Sequence, residues 1–421
     1  MVVGSGGREH ALMWKLAQSP RADAVCIAPG NAGTAPLGEN IPIKANDLDG
    51  IVAAARERQV DLVVVGPEEP LALGLVDRLD AAGIAVCGPT QAAARIESSK
   101  AWAKEIMASA GVPTARAVAV RDVAAGRSAL AEFSLPVVVK ADGLAAGKGV
   151  VIAETADEAT KVLSAFLDEQ TLGEAGATVL IEEFLVGQEV SVFSLTDGMT
   201  VLTLPAACDY KRIYDGDEGP NTGGMGAYAA PPVADDTFLT DVQRSLLEPV
   251  VRAMADAGSP MRGILYAGLI LTAEGPKVLE FNARFGDPEA QVVMPILDAD
   301  LLDLFWGIAI GTLADAPPPG PARGAAVCVV IASGGYPGVY QTGYPMAGLE
   351  PAGRDALIFH AGTRLDDQRR VVTAGGRVVN VVGRGENLAE AHDRAYAAAS
   401  AISFAGSQYR RDIAAREIVA G

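Results

Sequence analysis

The chain has 421 residues, half of them hydrophobic and a fifth charged; at about 100–200 residues per domain this is a multidomain globular protein, not a disordered or collagen-like chain. Its net charge of −18 opposes binding to nucleic acid or to an anionic membrane surface, so any phosphate it holds needs a local positive pocket. Four scattered cysteines without metal-like spacing read as buried free thiols. Met1–His10 is not a basic start followed by an apolar core, and no apolar run reaches the roughly 18–20 residues of a membrane span, so a cytoplasmic protein is expected.

The first hundred residues repeat a short apolar run, a Gly-rich turn and a helix. "MVV" leads into "GSGGREH" and a helix from about Glu9 to Gln18; "AVCIAPGNAG", "DLVVVGPEEPL" and "IAVCGPT" follow the same scheme. Such alternation predicts a doubly wound parallel sheet with ligands at the carboxyl ends of its strands, where "GSGGRE", "PGN" and "GPEEPL" fall. A dinucleotide fingerprint would need glycine where Glu9 stands, which places a nicotinamide enzyme last. An anion at the helix N-terminus beside Arg8 and a plain tight turn both fit these residues.

A helix is predicted from Glu97, N-capped by Ser98 and stopped at Gly111 and Pro113. A small α+β segment follows to about Ile181, then a larger block to about Thr312. The linker "ADAPPPGPARG" is the strongest break in the chain. The expected domains are therefore 1–97, 98–315 with a lid subdomain near 114–186, and 322–421. The last is strand-rich and ends with a helix from about Leu388.

"KADGLAAGKG" resembles a phosphate loop, but Gly143 to Lys148 is one residue too short and Gly149 stands where Ser or Thr would hold magnesium. Its flanks, "PVVVK" and "GVVIAE", are both apolar β runs, so it is predicted to be a hairpin flap. Lys140 would close the first strand and Lys148 would lie in the flap to grip a triphosphate. A flexible surface hairpin is the plainer alternative. "VLIEEFLVGQEVSV" reads as strand, bend, strand; Glu182 and Glu183 are either a solvated edge or part of an adenine hinge over Glu183–Leu185.

In "KVLEFNARFGDPEAQ" strand alternation sends Glu280, Asn282 and Arg284 to one face and Leu279, Phe281, Ala283 and Phe285 to the other. A carboxylate and an amide oxygen two residues apart suit magnesium shared with nucleotide phosphates, and the guanidinium could clamp a carboxylate or phosphate. A solvated edge strand is the second reading. Asp209–Tyr228 reads as a long glycine-rich loop in which Lys211 and Arg212 add charge for an anionic substrate, as a surface lid, or as both.

The ordered set "GSGGREHAL", "APGNAGTA", "GPEEPLALG", "ADGLAAGKGV", "IEEFLVGQE", "GPNTGGMGAY", "EFNARFGDPE", "SGGYPG" and "FHAGT" resembles the phosphoribosylamine–glycine ligase family of the ATP-grasp superfamily, nearly end to end. The resemblance implies an N-terminal doubly wound domain, two ATP-grasp subdomains and a β-rich C-terminal domain. It also implies ATP, glycine and 5-phosphoribosylamine as substrates and Mg2+ or Mn2+ as metal; a monomer without nucleic-acid or membrane partners is expected. By the family's motifs the nucleotide would meet Lys100, Lys140, Gly143, Gly147, Lys148, Gly149, Glu182, Glu183, Phe184, Leu185 and Glu189, and the metal Glu280 and Asn282. The other substrates would meet Gly6, Gly7, Arg8, Glu9, Asn31, Glu68, Asp209, Lys211, Thr222, Gly223, Gly224, Arg284 and Gly335, with Arg284 and Lys148 in catalysis. Phosphorylating a carboxylate needs no Ser, Cys or His nucleophile, and His10, His360 and His392 suggest none.

Another carboxylate–amine ligase, and a non-catalytic nucleotide sensor, are the competing readings. The chain departs from the family pattern in its short first strand, Met1–Val3, and at Ala414 and Ala415, where the family usually has Gly and Trp; a small effect on stability is expected there.

Overall fold

The computed structural model describes residues 1–145 and 148–420, so Gly147 lies outside the described residues. Five short runs build the first sheet: β1 (Val2–Gly4), β2 (Cys26–Pro29), β3 (Glu39–Asn40), β4 (Leu62–Val65) and β5 (Ala85–Cys87). They are parallel, in the order β3-β2-β1-β4-β5. β4 reads LVVV and is buried along its whole length, as a parallel strand covered on both faces must be. β1 is only three residues long, yet Val2 and Val3 are buried and the Met1 amine donates to the Leu62 carbonyl at 2.7 Å.

The first helix spans Gly7–Leu16, two residues earlier at each end than predicted. Where one helix was expected from Glu97 there are two, Gln91–Ser98 and Lys100–Ala110. Ser99, not Ser98, is the N-cap of the second, its Oγ accepting the Trp102 N–H at 3.2 Å. Glu97 consequently belongs to the preceding helix and is buried. Gly111 ends the second helix in the left-handed conformation, as its position implied.

The next sheet is antiparallel: β6 (Ala117–Val120), β7 (Val137–Ala141), β8 (Val150–Ala153) and β9 (Val179–Glu183), in the order β6-β9-β7-β8. Val137, Val139 and Ile181 pack against Leu163 of the helix Ala156–Leu167. The β7–β8 pairing, Val137 to Ala153 through Lys140 to Val150, makes "KADGLAAGKG" the tip of a hairpin.

A nine-stranded sheet dominates the rest. Its strands are β10 (Gln188–Thr196), β11 (Val201–Thr203), β12 (Ala207–Asp209), β15 (Gly226–Ala229), β16 (Gly263–Thr272), β17 (Gly275–Asn282), β18 (Ala325–Ala332), β19 (Leu357–His360) and β22 (Arg377–Gly385). The order is β17-β16-β10-β12-β15-β18-β22-β19, with β11 also on β10. The β15–β18 pair carries the sheet across the Pro-rich linker. Two ribbons complete the strands, β13 (Arg212–Tyr214) with β14 (Glu218–Asn221), and β20 (Thr363–Leu365) with β21 (Val371–Thr373). The fold is thus mixed α/β and α+β, and Cys87, Cys208 and Cys328 are buried free thiols while Cys26 is half-buried.

Two expectations change. Asp209–Tyr228 is not an open loop but carries the β13–β14 hairpin, where the Arg212 guanidinium donates to the Gly219 carbonyl across its own turn at 2.6 Å instead of facing a ligand. The alternation over residues 279–285 is broken by a β-bulge: Gly268 pairs with Glu280 and Leu269 with Val278, leaving Leu279 unpaired and half-buried. Phe281, Ala283 and Phe285 are buried as predicted.

Candidate active site

The side of the candidate site where phosphate is expected is built by β7 and β9. Lys140 and Glu182 share the sheet face opposite Val139 and Ile181, and Lys140 Nζ lies 2.9 Å from Glu182 Oε2 and 3.3 Å from the Leu279 carbonyl that the bulge presents. Lys104 Nζ, 3.3 Å from Glu182 Oε1, completes a buried three-group cluster. Two ammonium groups on one carboxylate leave a net positive charge to meet an anion. Lys100 Nζ reaches the carbonyls of Asp142 and Gly143 at 3.4 and 3.3 Å, and burial lowers its pKa. Gly143 is required by close approach, since a Cβ there would lie 2.7 Å from the Ala175 Cα. Lys148 stands exposed on the hairpin beside buried Gly149. Glu182 is 2% exposed, which rules out the solvated-edge reading. Phe184 and Glu189 are exposed, Leu185 is half-exposed, and Glu183 Oε1 accepts the Arg116 N–H at 3.0 Å.

A second cluster lies where the first sheet meets the end of β17. Arg284 Nη2 is 2.8 Å from Glu97 Oε1 and its Nε 3.2 Å from Glu68 Oε2. Burial alone would raise Glu68, but Arg284 and Arg8 hold it down to about 2. At the first helix N-terminus the chain's own carboxylate occupies one donor: Glu9 Oε2 accepts the Gly6 N–H at 2.7 Å, and Glu9 Oε1 is 2.5 Å from Arg8 Nε. Arg8 is thereby neutralised and buried, its Nη1 donating to the Phe285 carbonyl at 3.1 Å. Gly7 admits no side chain, because a Cβ would lie 2.1 Å from Asn380 Nδ2 and 2.6 Å from Gln291 Nε2. Asn31 is fully engaged as a brace, its Nδ2 donating to the carbonyls of Ser5 and His360, both at 2.8 Å.

Between these clusters stands Glu280. Burial would raise its pKa, yet Lys211, Lys140, Lys100 and Arg284 together lower it, so the carboxylate is anionic. Among the described residues no cation comes within 4 Å of it, and the Asn282 amide makes no side-chain hydrogen bond. A carboxylate and an amide oxygen so disposed fit a hard divalent cation whose other ligands are phosphate and water oxygens. Lys211 pairs with Glu189 at 2.6 Å and Asp209 at 3.3 Å. Burial, then the neighbouring Asp209, raises Glu289 to about 7. Gly224 lies against the turn at Asp287 and Pro288 and Gly223 against the Arg377 guanidinium, while Thr222 Oγ1 donates to the Lys211 carbonyl at 2.8 Å; Gly335, at φ +93°, precedes Tyr336, whose hydroxyl accepts the Gly223 N–H at 3.0 Å.

Sequence reasoning missed Glu97, Lys104, Asp287, Glu289 and Arg377. Asp287 and Glu289 stood inside the quoted "FGDPE". Glu97 and Lys104 gave no local signal, because their partners come from the residues just after β17 and from β9.

A lysine-lined hairpin facing a carboxylate–amide strand, both between antiparallel sheets, defines an ATP-grasp enzyme. The comparisons agree and go further. Residues 1–97, 98–290 and 326–416 match the N domain, ATP-grasp (A) domain and C domain of phosphoribosylglycinamide synthetase. The chain is 49% identical to phosphoribosylamine–glycine ligase of Nostoc sp. over 99% of both chains, and 48% identical to that of Caulobacter vibrioides over 99% of this chain and 98% of the other. The solved phosphoribosylamine–glycine ligase of Thermotoga maritima superposes with a TM-score of 0.86 at 35% identity, covering 98% of each chain. A biotin carboxylase domain from Hydrogenobacter thermophilus shares only the fold, at TM-score 0.72 and 17% identity, over 97% of this chain and 91% of that one. The chain belongs to the phosphoribosylamine–glycine ligase family. It is an ATP-dependent ligase of purine biosynthesis.

Proposed function

We propose that the site joins glycine to 5-phosphoribosylamine in two steps. A glycine carboxylate oxygen attacks the γ-phosphorus of ATP, ADP leaves, and glycyl phosphate forms. The amine of phosphoribosylamine then attacks the acyl carbon, the C–O bond to phosphate breaks, and the amine loses one proton as the amide forms. Lys140 and Lys100 hold phosphate oxygens and offset the charge on the transferring group. The backbone of Glu183–Leu185 reads adenine, and Lys148 closes with the hairpin to keep water from the acyl phosphate. Arg284 clamps the reacting carboxylate and phosphoryl oxygens.

Glu280 and Asn282 would hold Mg2+ or Mn2+, which supplies charge neutralisation between the nucleotide phosphates. The glycine-rich turns around Gly6, Gly7, Glu68 and Thr222–Gly224 form the phosphoribosylamine and glycine side. The free cysteines and net charge of −18 support a cytoplasmic enzyme acting on small-molecule substrates.

The observation that carries this reading is the buried Lys140–Glu182–Lys104 cluster, whose Lys140 also reaches the Leu279 carbonyl one residue before Glu280. Purified protein given ATP, a divalent metal, glycine and freshly generated phosphoribosylamine should release ADP. Equal release with glycine omitted refutes the proposal.

A further inference from the structure

Arg377 stands at the start of β22, where the C-terminal strands meet the glycine-rich 222–224 segment and the turn that follows Arg284. Its Nη1 donates to the carbonyls of Gly223 at 2.5 Å, Asp287 at 2.6 Å and Gly224 at 3.3 Å, and its Nη2 lies 3.1 Å from Asp287 Oδ2. The side chain is 19% exposed. Only a planar guanidinium carries enough donors in a fixed fork to hold carbonyls on two segments and a carboxylate together; a lysine ammonium at the same place would be a single point.

We infer that Arg377 is a positioning residue for the ligation, acting through the 222–224 backbone on Lys211. This rests on the function proposed above and deepens it. The coupling can be followed atom by atom. Thr222 donates to the Lys211 carbonyl twice, from N at 2.7 Å and from Oγ1 at 2.8 Å, so the segment Arg377 grips is fastened to the backbone of Lys211. Lys211 in turn lies 3.3 Å from Asp209 Oδ1 and 2.6 Å from Glu189 Oε2, so the backbone that Arg377 fixes also fixes this ion-paired ammonium.

On its other side Arg377 fixes Asp287, whose Oδ1 accepts Gln291 Nε2 at 2.7 Å and whose Oδ2 lies 3.3 Å from where a Cβ on Gly6 would stand. Gly224, at φ +111°, presses its backbone onto the same turn, since a Cβ there would lie 2.4 Å from Pro288 Cδ. Removing the guanidinium takes the donor from three carbonyls and from Asp287 Oδ2 at the boundary of the site without touching any group proposed to grip the nucleotide at β7 and β9. A displacement of about 1 Å in such a frame is enough to cost orders of magnitude in turnover.

The test compares the wild-type enzyme with Arg377→Ala and Arg377→Lys in glycine- and phosphoribosylamine-dependent ADP release, with ATP affinity and melting temperature measured on the same samples. The expected result is a loss of kcat of roughly tenfold or more in both variants, with the ATP dissociation constant changed by less than about twofold and partial recovery of Arg377→Ala by low-millimolar guanidinium. Wild-type kcat in either folded variant overturns the inference, as does a loss that merely tracks the unfolded fraction and is not rescued by guanidinium. If Arg377→Ala does not fold, Arg377→Lys decides by the same kcat criterion at wild-type melting temperature. A wild-type enzyme with no glycine-dependent release overturns the proposed function and this inference together.

Discussion

Glu97 ties the helix Gln91–Ser98 to the residues that follow β17: its Oε1 lies 2.8 Å from Arg284 Nη2, and its Oε2 accepts the Ala283 N–H at 2.8 Å. One buried carboxylate therefore fixes both the guanidinium and the backbone that carries it. Burial raises the Glu97 pKa, against the pull of the neighbouring Arg284.

Glu97→Gln keeps an acceptor for Ala283 but turns an amide toward Arg284, which retains Glu68. The expected result is a fall in kcat/KM of about tenfold with little change in melting temperature. Glu97→Ala should cost about 3 kcal/mol, because a buried guanidinium loses a partner. Steady-state kinetics and urea titrations check both; unchanged kcat/KM in Glu97→Gln removes Glu97 from the positioning of Arg284.

In the proposed site Glu280 would face the nucleotide with a negative charge that metal would offset. Glu280→Gln should lower turnover by about 100-fold or more. In EDTA, however, the same variant should bind ATP at least as tightly as wild type, because the repulsion between carboxylate and triphosphate is gone. Calorimetric titration with and without magnesium separates these effects. Weaker ATP binding in EDTA would show that Glu280 serves the nucleotide site as a structural group.

The elements around this site were legible where a local pattern carries them. The apolar runs on both sides of "KADGLAAGKG" meet as β7 and β8, so the flanks, not the glycines, identified the hairpin. Phe281, Ala283 and Phe285 followed strand alternation, but one extra residue at Leu279 inserts a bulge that a two-residue period has no means to encode. Two adjacent serines hid which one caps the helix, and the slip moved Glu97 out of its true helix. The Arg8–Glu9 pair was visible as two letters, yet its consequence, a helix N-terminus with one donor occupied from within, depends on a side-chain direction only the fold decides. Arg377 had no local signature at all, since its acceptors are backbone carbonyls.

The seam between the first helix and β19 should be acid-sensitive. His10 Nδ1 accepts the His360 N–H at 2.9 Å, and His360 Nδ1 is 3.1 Å from Thr363 Oγ1. Burial, then the nearby His360, lowers His10 from 6.5 to about 3, and burial lowers His360 to about 4. Both rings are therefore neutral in the fold, while the unfolded chain takes up protons below about pH 6.5. Stability from these groups is complete above 6.5 and is lost as pH falls toward 4 and then 3. Between pH 7 and pH 5 each ring should account for about 2 kcal/mol. Unfolding free energies measured at both pH values, for wild type and for His10→Asn, which keeps an acceptor but cannot titrate, should differ in slope by about half. Equal slopes would mean that His10 does not carry the acid sensitivity.

Ala414 tests how the chain tolerates a residue in a glycine's conformation. It has φ +63°, is fully buried, and its N–H donates to the Tyr210 hydroxyl at 2.9 Å, ahead of the helix Ala415–Ala420. Left-handed backbone costs a non-glycine residue about 1–2 kcal/mol. Against this, the buried methyl contributes about 0.8 kcal/mol, and alanine loses about 0.5–1 kcal/mol less backbone entropy on folding than glycine. The opposing terms nearly cancel, so Ala414→Gly should leave stability within about 0.5 kcal/mol of wild type. Ala414→Val faces the same backbone with a branched Cβ and no room around it, and should cost about 2 kcal/mol or more. Urea midpoints for the two variants distinguish this balance from its alternatives: a gain above about 1 kcal/mol in Ala414→Gly would mean that strain dominates, and a tolerated valine would mean that the backbone at 414 relaxes.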